Sequence, residues 1–106
     1  MNEIVTVYAT FGSHEDAVRV ARALVEEGIA ACANILAPCR SIYRWQGKVE
    51  EAEEVPALFK VAAAGANAAI ARIGDLHSYD VPAAVVWPIA ETSHSYREWV
   101  LTETTR

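Results

Sequence analysis

Two long extended segments joined by one turn constrain the fold of this chain more than any other feature of its sequence. Residues 29–45 and 48–63 are each predicted to be extended, and Gln46-Gly47 stands between them. Because glycine tolerates a positive φ angle, this dipeptide predicts a two-residue hairpin turn. A strand of about fifteen residues spans about 50 Å, whereas a compact chain of about 100 residues has a radius of gyration near 13 Å. We therefore expect the hairpin tip to project beyond the core of its own chain.

A two-residue turn also determines which residues of the hairpin face each other. Trp45 then lies opposite Lys48, and Arg40 lies opposite Glu53. The second pair is expected to form a cross-strand ion pair worth at most about 1 kcal/mol.

The rest of the chain alternates strand and helix signals. Ser13, with Asp16 three residues later, indicates a helix start, and Gly28 indicates its end. Pro38 and Pro56 lack the N–H that a strand ladder needs, so we expect them at bulges or free edges. Outside the hairpin, the predicted elements are a strand over Glu3–Phe11, a helix over Ser13–Glu27, a helix around residues 69–76, a strand over Ala83–Ile89 and a helix over Ser93–Thr102.

This order of elements predicts an α+β, ferredoxin-like βαββαβ fold. The sheet should be antiparallel, with a long hairpin between its second and third strands and a C-terminal helix after the last strand. The first two helices should cover one face of the sheet. We expect residues 1–106 to form a single domain, since domains of about 100–150 residues are the commonest.

Composition and charge exclude several classes of partner. The formal net charge is -5 and Lys and Arg are not clustered, whereas nucleic-acid binding needs a basic surface. No apolar run reaches the ~18 residues of a membrane helix. The start, Met1-Asn2-Glu3, lacks the basic region of a signal peptide, and two cysteines are too few for a disulfide scaffold. These features predict a cytoplasmic protein without a nucleic-acid partner or a membrane segment.

The hairpin tip is a candidate assembly surface. It carries Ile42, Tyr43, Trp45 and Val49, and a two-stranded ribbon by itself is marginally stable in water. We therefore expect the tip, with Tyr43, Trp45 and Lys48, to pack on another copy of the chain. In the alternative interpretation, the strand kinks at Pro38 and folds back on its own domain.

Four segments resemble the CutA divalent-cation tolerance family. Gly28-Ile-Ala-Ala-Cys-Ala-Asn-Ile35 resembles the family segment that contains Ala-Cys-Val-Asn-Ile. Ser41-Ile-Tyr-Arg-Trp-Gln-Gly-Lys48 is similar to its hairpin tip, and Leu76-His-Ser-Tyr-Asp-Val-Pro82 is similar to its His-Pro-Tyr-Glu-Val-Pro loop. Tyr96 and Trp99 fit its C-terminal helix. Ser78 replaces the usual proline and Asp80 the usual glutamate, which puts the detailed geometry of the His77 loop in question.

The resemblance implies a homotrimer in which long hairpins join neighbouring subunits. It also implies a function in tolerance of divalent metals, copper above all, so copper or another divalent cation is the candidate cofactor. The fold is similar to that of PII signalling proteins, which bind small effectors between subunits. That last similarity is an analogy between folds.

Cys32, His77 and Asp80 are the candidate metal ligands. A thiolate suits copper and zinc, and an imidazole can ligate a metal while a nearby carboxylate orients its ring. The alternatives are that Cys32 is a small buried apolar residue and that His77 caps a helix C-terminus. No Cys-x-x-Cys or His-x-x-x-His pair is present, so a metal site would need residues from distant segments or from several subunits.

A candidate ligand crevice completes the prediction. Tyr79 belongs to the His77 loop, and Lys60 is expected to meet a carboxylate such as Glu53 across a subunit boundary. Strand alternation sends Glu51 and Glu53 to one face and Glu50 and Glu54 to the other; the alternative is that these carboxylates are simply solvated. Glu53, Lys60 and Tyr79 are thus the predicted crevice residues.

Three functions are compatible with these residues. The first is a trimeric cytosolic binding protein for divalent-metal tolerance, with its ligand in a crevice between subunits. The second is a PII-like small-molecule sensor or adaptor that does not handle metal directly. We expect no enzymatic activity; the third function, an enzyme, would use His77 as a general acid or base.

Overall fold

A computed structural model describes residues 3–104 and contains five strands and three α-helices in that range. The elements are β1 Ile4–Phe11, α1 His14–Glu26, β2 Cys32–Ile35, β3 Cys39–Trp45, β4 Lys48–Ala62, α2 Ala66–Leu76, β5 Ala84–Pro88 and α3 His94–Glu103, with a 3-10 turn at Ala63–Gly65 before α2. Met1, Asn2 and residues 105–106, which belong to the predicted domain, lie outside the described residues. Within residues 3–104, no helix is both long and apolar enough to cross a membrane.

The sheet has the strand order β2-β4-β1-β5, and β3 pairs with β4 beyond the end of β2. Neighbouring strands are antiparallel throughout. The predicted α+β, ferredoxin-like fold is therefore confirmed. It differs from the prediction in one strand, which is interrupted in the structure. The second predicted strand is two strands, β2 and β3.

Each face of the sheet packs against different helices. Val7, Ala9 and Phe11 of β1 point to the face covered by α1 and α2, where they join Phe59 in the main buried core. This arrangement confirms the prediction that both helices lie on one face. Ile4, the first residue of β1, points to the other face of the sheet. It packs there with Ala31 and with Val100 of α3. The helix α3 therefore covers only one end of the opposite face.

Local signals in the sequence set the predicted ends of α1 and the hairpin turn. The Ser13 side chain accepts a hydrogen bond from the Asp16 backbone N–H at 3.1 Å, as expected of an N-cap. Gly28 follows α1 with a φ of 76°. At the turn, φ is 51° for Gln46 and 83° for Gly47, which is the pair of positive angles that a type I′ turn requires.

A β-bulge separates β2 from β3. Ile35 pairs with Ala57, and Cys39 pairs with Glu54, so the segment between them holds one more residue than the facing part of β4. At this break, the Pro56 carbonyl accepts a hydrogen bond from the backbone N–H of residue 36 at 2.9 Å. The N–H that Pro56 lacks would point to the same side as its carbonyl, where the neighbouring strand is interrupted. Both prolines therefore lie at the bulge, as predicted.

The bulge also changes the face to which the second cysteine points. Cys32 pairs with Lys60 and Cys39 with Glu54, so both cysteines lie on the sheet face opposite α1 and α2. Both are free thiols. The odd spacing alone would have placed them on opposite faces; the extra residue restores the phase.

The hairpin has the predicted register but a different ion pair. Trp45 lies opposite Lys48, and Arg40 lies opposite Glu53. The Arg40 guanidinium instead contacts Glu51, with 3.3 Å between Nη1 and Oε1. The expected Arg40–Glu53 ion pair is therefore wrong, because the arginine side chain reaches diagonally to the next carboxylate on the same face.

Candidate functional site

The loop after α2 is anchored to the end of β1 through His77. Its Nε2 lies 2.7 Å from the Thr10 carbonyl oxygen, and its Nδ1 accepts a hydrogen bond from the Tyr79 backbone N–H at 3.1 Å. A carbonyl only accepts, so Nε2 carries the proton and donates it. The ring also stacks on Phe11 with 4.7 Å between centroids. Both ring nitrogens are therefore engaged within the chain.

Tyr79 crosses from this loop to the hairpin. Its hydroxyl donates a hydrogen bond to Glu54 Oε2 at 2.8 Å. Burial raises the pKa of the Tyr79 phenol to about 12, and the hydrogen bond to Glu54 is the second cause. Burial also raises the pKa of Tyr8, with smaller contributions from Cys39 and Glu54. Glu54 therefore lies near two phenols, those of Tyr8 and Tyr79, that stay protonated at neutral pH.

A glycine gives Tyr79 the space that it occupies. A Cβ built on Gly12 would lie 3.3 Å from the Tyr79 hydroxyl oxygen and 3.4 Å from its Cε1. A second contact connects the loop to α1, where the Ser78 hydroxyl donates to Asp16 Oδ2 at 3.2 Å. Ser78, which stands where the related family has proline, thus has a specific hydrogen-bond partner.

A cavity of about 620 Å³ lies between the hairpin and this loop. The hairpin contributes Tyr43, Trp45, Glu50 and Glu54 to its wall, and the loop contributes Tyr79 and Asp80. The volume is in the range of small-molecule sites in proteins, about 300–1,000 Å³. The cavity is therefore the candidate functional site of the chain.

Cys32 lies elsewhere, on the sheet face that α3 partly covers. Its Sγ is 3.4 Å from the Tyr96 hydroxyl oxygen. Burial, followed by the hydrogen bond with Cys32, raises the pKa of Tyr96 to about 12. Lys60 lies directly opposite Cys32 across the β2–β4 ladder.

The structure brings together only some of the residues predicted for the site. Tyr79 and Asp80 line the cavity, together with the predicted assembly residues Tyr43 and Trp45. Among residues 3–104, no group of three or more His, Cys, Asp and Glu side chains is arranged to hold a metal ion. Within one chain, Cys32, His77 and Asp80 therefore do not form a common metal site.

Glu53 is exposed and does not line the cavity, whereas its neighbour Glu54 does. The reason is strand alternation, which places Glu50 and Glu54 on the cavity side of β4. The sequence predicted this alternation; a place for Glu53 in a crevice between subunits stays a prediction. Sequence reasoning also missed Gly12 and Thr10, which contact the loop from a distant part of the chain and share no motif with it.

The fold and the cavity define a class of protein: a small ferredoxin-like domain with a projecting hairpin and a cleft between the hairpin and the loop after α2. A family model described as CutA1 divalent ion tolerance protein matches residues 5–103. The chain belongs to the CutA family. The name of this family connects the chain with the tolerance of divalent ions in general.

Similar proteins from two organisms carry the same family name. The chain is 43% identical over 100 residues to the divalent-cation tolerance protein CutA of Thermus thermophilus, covering 94% of this chain and 95% of that protein. The solved structure of the divalent cation tolerance protein from Thermus thermophilus has a TM-score of 0.92 at 41% identity, covering 96% of this chain and 99% of that one. A structure described as the periplasmic divalent cation tolerance protein CutA of Archaeoglobus fulgidus has a TM-score of 0.93 at 29% identity, with the same coverage.

Proposed function

We propose that this chain is a homotrimeric, cytosolic binding protein for the tolerance of divalent metals, copper first among them. Its ligand is held in a crevice between subunits beside Tyr79 and Asp80. The observation that carries the proposal is the apolar surface that the chain leaves exposed on its hairpin. Ile42 is 66% exposed and Val49 is 62% exposed. Monomeric proteins rarely leave such a patch uncovered.

A second uncovered apolar surface lies on the sheet, on the opposite face from Ile42 and Val49. Trp87 is 46% exposed and stacks on Tyr8, on the face opposite α1 and α2. Val85 of the same strand is 45% exposed on that face. Two apolar surfaces on opposite faces suit contacts with more than one neighbour, as in a closed ring of three subunits.

Any metal site in this proposal uses residues of more than one subunit. Asp80 is exposed beside the cavity and Cys32 lies on the sheet face toward which a neighbour would pack. His77 would have to release the Thr10 carbonyl or the Tyr79 N–H before it bound a metal. The proposal therefore favours Cys32 and Asp80 over His77 as ligands.

Light scattering and metal analysis test this function directly. Light scattering at micromolar concentration should give three times the 11.5 kDa mass of one chain. Protein purified without chelators or tags should contain a divalent metal, and removal of the gene should make the source organism more sensitive to copper. A clean monomer contradicts the trimer, and unchanged copper sensitivity contradicts the tolerance function. Cell fractionation should find the protein in the cytosol, although the Archaeoglobus fulgidus protein is described as periplasmic.

The aromatic lining of the cavity favours a second candidate function, a small-molecule sensor or adaptor of PII type. Tyr43, Trp45 and Tyr79 give the cavity flat surfaces that a bare metal ion does not use. Calorimetry with copper, zinc and a panel of nucleotides separates the two candidates, since each predicts heat with one group of ligands only. The family is named for tolerance, and we propose no catalytic function for His77.

A further inference from the structure

The segment that carries Asp80 has few contacts of its own. Among residues 3–104, residues 80–83 form no ion pair, no side-chain hydrogen bond and no backbone hydrogen bond of the turns and loops. Val81 is 68% exposed, and Pro82 has no N–H to donate. Regular pairing begins again only at Ala84, the first residue of β5. The position of Asp80 therefore depends on the anchors at the two ends of this segment.

Tyr79 is the anchor at the N-terminal end of the segment. Its hydroxyl donates to Glu54 Oε2 at 2.8 Å, and its ring lies beside Gly12. His77 and Ser78 are also fixed, but their partners belong to β1 and α1. In the part of the chain that the structure describes, the bond to Glu54 is thus the one side-chain hydrogen bond that joins this loop to β4.

Glu54 lies where the hairpin leaves the core. The ladder between β1 and β4 ends where Phe11 pairs with Val55, one residue short of Glu54. On its other side, Glu54 pairs with Cys39, the first residue of β3. Because Glu54 pairs with β3 and lies beyond the last pair with β1, its position follows the hairpin.

We propose that Tyr79 is a positioning residue that connects the order of the hairpin with the order of the segment that carries Asp80. While Glu54 holds the phenol, residues 80–83 are kept beside the hairpin; when the hairpin opens locally, the phenol loses its acceptor and the segment is released. The inference rests on the proposed function in taking Asp80 as part of the ligand site. In the proposed trimer, a neighbouring subunit that covers the hairpin also fixes this segment, so assembly and ligand binding favour each other.

The backbone N–H of residue 79 reports the release. It donates to His77 Nδ1 at 3.1 Å, so it exchanges with solvent when the loop opens. Tyr79→Phe removes the hydroxyl and keeps the ring, and the protection of this N–H should fall about tenfold, the value of a hydrogen bond to a charged group. The amides of β1 are the internal reference and should keep their protection. Unchanged protection at residue 79, or an equal loss in β1, overturns the inference.

Variants of Glu54 separate the hydrogen bond from other effects of the tyrosine. Glu54→Gln retains an oxygen that can accept from the phenol, and it should lower the protection by about threefold, because a neutral hydrogen bond is about half as strong. Glu54→Ala should lower the protection about tenfold in the unmodified chain and leave it unchanged in Tyr79→Phe. If Glu54→Ala has the same effect in both backgrounds, the two side chains act independently and the inference is wrong.

Gly47→Ala tests the connection with the hairpin, because it strains the turn and contacts nothing within 4 Å. It should lower the protection at residue 79 by up to about fivefold in the unmodified chain, but not in Tyr79→Phe. Ser78→Ala is the matched control, since it removes a hydrogen bond of the same loop to Asp16 on α1, and it should leave the response to Gly47→Ala intact. No response to Gly47→Ala in the unmodified chain, or the same response in Tyr79→Phe, overturns the inference.

The contacts that carry this inference lie within one chain, so the exchange results can be interpreted whether or not the protein is a trimer. A monomer in light scattering, or unchanged copper sensitivity without the gene, contradicts the proposed function and leaves the connection between hairpin and loop standing. A trimer whose loop and hairpin open independently supports the proposed function and overturns this inference.

Discussion

At the scale of single residues, Gly12, His77 and Tyr79 hold the cavity loop in place by three different kinds of contact. His77 uses both ring nitrogens, Tyr79 uses its hydroxyl, and Gly12 contributes by having no side chain. The loop itself is short and lies outside helices and strands, so these contacts decide its position. Changing any one of them should therefore affect the cavity wall more than the core.

Replacement of Gly12 by alanine should displace Tyr79. The new methyl group would lie 3.3 Å from the Tyr79 hydroxyl oxygen, a contact tight enough that the tyrosine must shift by a few tenths of an ångström. We expect Gly12→Ala to lower the free energy of unfolding by about 1 kcal/mol, as overpacking does. Chemical denaturation of Gly12→Ala, Tyr79→Phe and the double variant checks this, because the cost should shrink once the hydroxyl is absent.

Gly74→Ala is the matched control for Gly12→Ala. A Cβ at Gly74 meets nothing within 4 Å, and the residue is inside α2, where alanine is the better helix former. This variant should gain up to about 1 kcal/mol. Equal effects of the two substitutions would mean that the contact of Gly12 with Tyr79 is unimportant.

The raised pKa of Tyr79 predicts a loss of stability at high pH. Its pKa rises from 10.0 to about 12 on folding, so the folded state keeps a proton that the unfolded state has lost. The stabilisation is complete below pH 10 and is lost as the pH rises toward 12. The free energy of unfolding, measured from pH 8 to about 12, should therefore fall less steeply for Tyr79→Phe than for the unmodified chain.

At the scale of elements, the hairpin turn depends on one backbone conformation. Gly47 has a φ of 83°, and a Cβ added there would meet nothing within 4 Å, so a side chain is opposed by backbone strain alone. Gly47→Ala should cost about 1 kcal/mol. Hydrogen exchange should become faster in β3 and in the facing part of β4, while β1 stays protected. Faster exchange in β1 would mean that the hairpin folds together with the core.

Local signals made the ends of the elements predictable. The Ser13 cap and the Gln46-Gly47 turn each depend on residues within a few positions of one another. The bulge between Ile35 and Cys39 was not predictable in this way, because the extra residue is defined only by its pairing with β4. Pro38 indicated that the strand would be interrupted, but it did not indicate how many residues the interruption would contain.

The candidate site was harder to predict than the fold. Tyr79 was identified from its loop, but its partner Glu54 lies 25 positions away. The Thr10 carbonyl that His77 contacts is 67 positions away, and a backbone carbonyl has no signature in a sequence. Side chains with distinctive chemistry, such as Tyr79 and His77, could be identified from the sequence. Their hydrogen-bond partners, which fix their position and chemistry, could not.

At the scale of the whole molecule, the shape of the chain differs from that of a compact monomer. Its principal extents are 44, 26 and 23 Å, and the long axis agrees with a hairpin that extends past the core. In the part of the chain that the structure describes, every residue from Ile42 to Glu50 is exposed. In the proposed trimer, a neighbouring subunit covers the apolar members of this segment.

Replacement of Trp45 by alanine tests the trimer through one side chain. A buried tryptophan covers about 150–250 Å², and its loss costs about 3–5 kcal/mol when the ring is well packed. Within one chain the Trp45 ring is 41% exposed, so the chain by itself should lose much less than this. If a neighbouring subunit covers the ring, the full cost should appear as dissociation on dilution, because folding and assembly are linked by mass action.

Sedimentation of Trp45→Ala across a dilution series measures this directly, with Val25→Ala as the control. Val25 is 37% exposed on α1, away from the hairpin, and its variant should sediment like the unmodified chain. An indole ring has two faces, so contact with a neighbour on one face is compatible with a ligand on the other. If Trp45→Ala stays trimeric with an unchanged melting temperature and loses only ligand binding, the ring is part of the cavity alone and has no assembly function.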